Sequence, residues 1–272
     1  MAQTTLFLFA HQDDEIGVLA EIEYVIASGG RPVCAYLTDG AVGAVTAARR
    51  WAESRAVLAA VGVPEMDMHP LGERRGIGDG VLVRQLAPAY EAVRSLASGL
   101  GPIERLVMHG WEGGHQDHDA VHILGVTLAS EFGLVPVSRQ FPLYRAPLAG
   151  KLPYTMLRPL PGNGPVEARR IAVGARLRYL RHCLQYRSQA KTFMGLLPFI
   201  LADYVMNGRQ MLQPVSIDRL SAPPHAGVLL YERWGRMTWR DFDACAAAFL
   251  DRHRSGAPAS VGASPGGGEL AG

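Results

Sequence analysis

Along the first half of the chain, the apolar pattern changes period from block to block. Thr5-Leu6-Phe7-Leu8-Phe9-Ala10 is a short continuous apolar run, which predicts a strand covered on both faces. A polar cluster, His11 to Glu15, follows at once. Ile16, Leu19, Ile22, Val25 and Ile26 then recur at helical spacing, and Gly29-Gly30 closes that helix. Val33 to Leu37 predicts a second strand, ended by Thr38-Asp39-Gly40. Helical patterns follow over 47–61 and 83–96, and Arg105-Leu106-Val107-Met108 predicts another strand. Strands alternating with helices predict an α/β fold: a Rossmann-like, mostly parallel sheet with helices on both faces. In such sheets sites form beyond the carboxyl ends of the strands. The clusters at His11–Glu15, Thr38–Gly40 and His109–Asp119 are therefore expected on one edge.

The second half is less regular. The spacing predicts a helix with an arginine-rich face over Val166–Ser188, a late strand over Gly227–Trp234 and a last helix over Asp241–His253. We expect one domain over residues 1–254. The Gly, Ala, Ser and Pro of 255–272 predict a disordered tail. No apolar run reaches the ~18 residues of a membrane span. The N-terminus lacks the basic region and the cleavage site of a signal peptide, so none is expected.

Composition narrows the class further. Apolar residues make up 48% and charged residues 19%, which excludes a coiled coil or a wholly disordered chain. The formal net charge of +2 gives no reason to expect nucleic acid. Cys34, Cys183 and Cys245 are too few and too far apart for a disulfide framework or a thiolate metal site, and a cytoplasmic protein is the expectation.

Two segments carry the chemistry, His11-Gln12-Asp13-Asp14-Glu15 and Gly113-Gly114-His115-Gln116-Asp117-His118-Asp119. Four of the nine histidines, His109, His115, His118 and His122, lie within fourteen residues. Where thiolates are absent, zinc takes imidazole and carboxylate, and a catalytic site needs three protein ligands and an open position. His11 and Asp14, three apart at a strand-to-helix turn, can share an ion, as can His115 and His118. A plainer reading treats Asp13-Asp14 as carboxylates suited to a helix N-terminus. The two segments together, each after a predicted strand, favour the metal.

The first segment resembles the His-Pro-Asp-Asp-Glu motif of the PIG-L/LmbE-like family of zinc-dependent N-acetylglucosaminyl de-N-acetylases. The second resembles that family's Gly-Gly-His-x-Asp-His motif. Weaker similarity, in Thr38-Asp39-Gly40, Arg50/Glu53, Tyr186-Arg187-Ser188-Gln189 and Leu230-Tyr231-Glu232, extends it over roughly residues 5–245. Gln12 departs from the family's proline, which frees φ and restores an N–H. The resemblance implies that His11, Asp14 and His118 bind zinc, with iron(II) an alternative for the same donors. It implies Asp13 as general base, His115 as the group that stabilises the oxyanion and protonates the amine, and Asp117 as the carboxylate holding the His115 tautomer.

The reaction so implied is removal of an N-acyl group, first of all N-acetyl, from an amino-sugar conjugate. An amidase on a sugar–thiol conjugate and a non-catalytic glycoconjugate-binding protein are the alternatives. A nucleotide-binding Rossmann protein is disfavoured, because no Gly-x-Gly-x-x-Gly turn follows the first strand. Asp39, Arg50, Asp79 and Trp111 are candidate substrate contacts. Each also has a plainer reading: Asp39 as a turn former, Arg50 as an ion pair with Glu53, Trp111 as packing. Ten basic residues and one acid lie between Arg145 and Lys191, beside the apolar Thr192–Leu201. That juxtaposition suggests contact with a membrane surface or an anionic or lipophilic substrate. The favoured reading is a solvated basic face next to a core helix. Oligomeric state is not legible.

Overall fold

The computed structural model describes residues 2–148 and 152–254, so the tail expected at 255–272 lies outside the described residues. The strands are β1 (Thr4–Phe9), β2 (Arg31–Tyr36), β3 (Met68–Pro70), β4 (Ile103–His109), β5 (Arg139–Phe141), β6 (Tyr144–Arg145), β7 (Thr155–Met156), β8 (Glu167–Arg170) and β9 (Arg209–Pro214). The helices are α1 (Leu19–Ala27), α2 (Ala47–Val61), α3 (Leu71–Arg75), α4 (Leu86–Gly99), α5 (Gln116–Glu131), α6 (Val173–Cys183), α7 (Ala190–Met206), α8 (Leu230–Arg233) and α9 (Trp239–Arg254).

Seven strands form one sheet in the order β3-β2-β1-β4-β5-β9-β8. β1 to β5 pair in parallel, while β9 and β8 add antiparallel ladders at one side. β1 lies between β2 and β4, where chain order reverses, and this is the crevice position of open α/β sheets. Every residue of β1 is buried, as its unbroken apolar run requires. Leu6 and Leu8 face a core built with α3, α4, α5, α8 and α9. Phe7 and Phe9 face the opposite core, built with α1, α2, α6 and α7. Two cores of this kind are the expected α/β architecture.

The second half corrects the sequence reading in two places. Val166–Ser188 is not one helix. Its start is edge strand β8, paired with β9 from Glu167↔Leu212 to Arg170↔Arg209, and α6 begins only at Val173. The pairing partner is remote in sequence, so local periodicity could not reveal it. Gly227–Trp234 is not a strand but holds the short helix α8. Glu232 accepts from the backbone N–H of Leu229 at 2.9 Å and of Trp239 at 2.8 Å, which ties both ends of that turn.

Candidate metal centre and its surroundings

The three predicted clusters do meet at the carboxyl edge of β2, β1 and β4. Thr38 donates to Ala10 O at 2.7 Å, joining the ends of β1 and β2. Gln12, which stands where the resembling family has proline, donates through Nε2 to Thr38 O at 3.2 Å. The side chain thus ties the loop that the missing ring would have stiffened.

His11, Asp14 and His118 converge below this edge and are all buried. Asp14 Oδ2 lies 3.5 Å from His11 Nδ1, and Asp14 Oδ1 lies 3.2 Å from His118 Nε2. Neither nitrogen of the fully buried His118 ring has a hydrogen-bond partner. A buried imidazole without partners is costly, and a metal ligand bond is one way to satisfy it. Donor atoms of His11, His115 and His118, and separately of Asp14, His109 and His118, lie within 4.8 Å of one another. No cysteine is among these donors. The donor set therefore fits a divalent ion of the zinc or iron(II) kind. His109 closes the floor. Its ring stacks on His118 at 4.0 Å and 7°, and its Nε2 is 3.0 Å from Asp14 Oδ2. The neighbouring imidazoles His118 and His109 outweigh burial and hold the Asp14 carboxyl well below the usual range.

Asp13 sits at the mouth of this cluster with φ 122°, a conformation that costs a side-chain-bearing residue about 1–3 kcal/mol. Two contacts hold it there. Its N–H donates to Glu15 Oε2 at 3.0 Å, and its carboxylate meets Arg50 at 3.0 Å. Burial pushes its carboxyl up to about 7, against the pull of Arg50. Glu15 is itself buried and accepts from the Tyr186 hydroxyl at 2.7 Å. Tyr186 stacks on Phe193 of α7, so the C-terminal half supports the first motif from behind.

His115 caps α5, its Nδ1 accepting from the N–H of Asp117 at 3.2 Å. Burial, reinforced by His11, His118 and Arg236, holds its pKa well below the ordinary histidine value. Its Nε2 is met by Arg236, a residue with no motif around it that reaches in from the loop between α8 and α9. The Asp117 carboxylate does not hold His115, contrary to expectation. It lies 3.0 Å from His11 Nε2 and accepts from the N–H of Gly80 at 2.6 Å and of Leu82 at 3.1 Å. The first turn of α5 aims this side chain across the crevice at the loop before α4, away from its sequence neighbour. Gly114 admits the crossing of 144: a Cβ there would stand 1.8 Å from Tyr144 O.

The four substrate candidates separate. Arg50 is only 3% exposed and donates to Gly40 O at 2.9 Å, to Gln12 O, to Asp13 and to Asp79 at 3.3 Å. Glu53 is not its partner but takes Ser188. Asp79 lies 3.4 Å from His11 Nε2, at the rim of the cluster. Asp39 is spent on its turn, accepting from Ala41 N–H at 2.9 Å. Trp111 is a core residue, 1% exposed, with its indole N–H on Ala222 O and its ring against Trp239 and Phe242. It is not at the mouth. Three arginines of the basic block are ion-paired, Arg158 to Asp203, Arg169 to Glu21 and Arg178 to Glu23.

The family model described as PIG-L, GlcNAc-PI de-N-acetylase, matches residues 6–129, the stretch that holds both motifs. No curated protein matches the chain in sequence. Among solved structures, the A40926 pseudoaglycone deacetylase Dbv21 is similar with a TM-score of 0.57 and 18% identity, over 82% of this chain and 98% of that one. The zinc-inhibited form of teicoplanin deacetylase Orf2 gives 0.58 and 14%, over 79% and 98%. The N,N'-diacetylchitobiose deacetylase from Pyrococcus horikoshii gives 0.55 and 16%, over 82% and 85%. At these identities the likeness establishes the α/β fold.

Proposed function

Taking the chain as a member of the PIG-L family through residues 6–129, we propose that it is a divalent-metal-dependent hydrolase that removes an N-acyl group, first of all N-acetyl, from an amino-sugar-containing conjugate. The observation that carries this reading is the fully buried His118, neither ring nitrogen hydrogen-bonded, beside Asp14 and His11, with Asp13 held at their edge. His11, Asp14 and His118 would hold the ion. A zinc or iron(II) ion so bound supplies a water of lowered pKa and polarises the acyl carbonyl.

The chain's own groups account for the remaining needs of amide cleavage. The Asp13 carboxylate takes the proton of the attacking water, and Arg50 and Glu15 keep it in the strained position from which it reaches the mouth. His115 and the Arg236 guanidinium beside it are the groups offered to the oxygen that becomes negative as the carbonyl is attacked, with the guanidinium supplying the charge. The proton that Asp13 takes from the water is then delivered to the leaving amine, which returns Asp13 to the carboxylate it began as. Asp117 orients His11 instead of setting the His115 tautomer, so its part is to position a ligand. Asp79, at the rim and paired with Arg50, is a carboxylate placed to accept from a sugar hydroxyl.

The test is a deacetylation screen of N-acetylglucosaminyl compounds, free and conjugated, run with metal added and with metal chelated. Loss of activity on chelation and recovery with zinc or iron(II) are expected. Asp13→Ala carrying a full complement of metal should lose turnover by several orders of magnitude. Wild-type turnover in that variant would refute the base assignment, and stoichiometric metal absent from the active wild type would refute the centre.

A further inference from the structure

Helix α7 is mostly apolar, Lys191, Thr192 and Asp203 apart, and one side of it faces solvent. Its inner side contributes Phe193, Ile200 and Tyr204 to the core. Met194, Leu201 and Val205, at spacings of seven and four, share an outer stripe, and Met206 extends it. Their side chains are exposed by 47–74%. Val173, Leu177 and Leu184 of the packed neighbour α6 and its end are exposed by 62–66% and likewise share one face. Monomeric soluble proteins rarely leave so contiguous an apolar patch uncovered.

The charge carried by this stretch itself is nearly of one sign, although Glu23 pairs with Arg178 and Glu53 takes Ser188 from outside it. From Ile171 to Asn207 the only acid is Asp203, which is buried against Arg158. Arg181, Arg187 and Lys191 are exposed at the patch and have no carboxylate partner among the described residues. The three arginines tied to acids elsewhere in the block do not supply this charge.

We propose that the α6–α7 face docks on an anionic lipid surface, with the apolar stripe entering the headgroup region and Arg181, Arg187 and Lys191 meeting lipid phosphates. The stripe and its basic rim have the character of an interfacial helix face. A second copy of the chain fits less well, because a two-fold contact would set the same unpaired cations against each other. The residues 255–272 are a poor cover, since Val261 and Leu270 are their only large apolar side chains. No helix of the described residues is long and apolar enough to cross a membrane, so the contact is peripheral.

Vesicle co-sedimentation tests this without catalysis, so its outcome is independent of the deacetylase reading. The full chain is expected to sediment with phosphatidylglycerol-rich vesicles and to stay in solution with pure phosphatidylcholine. Each basic residue removed should weaken binding about fivefold, so Arg181→Gln/Lys191→Gln should lose roughly 25-fold. Leu201→Gln/Val205→Gln, on the outer face only, should abolish sedimentation while circular dichroism shows an intact fold. Failure of the folded wild type to bind phosphatidylglycerol vesicles would overturn the proposal, as would equal binding to both vesicle types. So would a solution dimer that Leu201→Gln/Val205→Gln dissociates, since that result gives the face to a second copy.

Discussion

Tyr186→Phe removes one oxygen from a contact that joins two distant parts of the chain. The hydroxyl donates at 2.7 Å to Glu15 Oε1, and both residues are at most 1% exposed. Water cannot replace the lost donor in that position. A hydrogen bond to a charged group is worth about 1.5–3 kcal/mol, and a buried acceptor left bare costs a similar amount. The ring itself is kept, so no cavity adds to the loss. We therefore expect about 2–3 kcal/mol lower unfolding free energy by urea titration, and a melting midpoint lower by several degrees. The same Glu15 holds the N–H of Asp13 through its other oxygen, so turnover should fall with stability. A double-mutant cycle with Glu15→Gln isolates the pair. A coupling energy below about 0.5 kcal/mol would show that the bond does not link the two halves, and the reasoning would fail.

Asp117→Asn should weaken metal affinity by about 10- to 100-fold in a chelator competition, because His11 loses its anchoring carboxylate; an unchanged affinity would return Asp117 to the role of His115 partner. Burial pushes Glu112 up to about 8 from 4.5, so the folded state holds a proton that the unfolded state releases between those values. Its contribution is full below about 4.5 and is lost as pH rises through about 8, so wild type should lose a few kcal/mol over that window relative to Glu112→Gln, read by urea unfolding at a series of pH values. Parallel curves for the two proteins would refute this. Gly114→Ala should give insoluble or strongly destabilised protein, since its Cβ would overlap the carbonyl oxygen of Tyr144; a soluble variant with a wild-type melting midpoint would contradict that packing.

What could be read in advance follows a physical line. β1, β2 and β4 are short runs buried on both faces, so their composition alone declares them. β9 hides because its polar residues are put to use inside: Gln210 donates to Gly17 O, and Gln213 to Leu160 O and Gly164 O. A pattern search reads such glutamines as surface. In the site, His11, Asp14, His115 and His118 announce themselves by residue type and spacing. The partner of Asp117 did not, because the family resemblance implied His115 while the crevice supplies His11. Arg236 sits in a loop with no periodic or motif signal, and only the tertiary fold brings it to His115.

The backbone of Asp13 bears on how this turn tolerates substitution. Its left-handed φ suits glycine, so Asp13→Gly should be more stable than Asp13→Ala by about 1–3 kcal/mol, although both lack the carboxylate. The gain over the present aspartate is offset by the loss of the carboxylate that meets the buried Arg50. Asp13 thus sets local backbone strain against an ion pair, and the same residue both raises the energy of the turn and anchors it to α2.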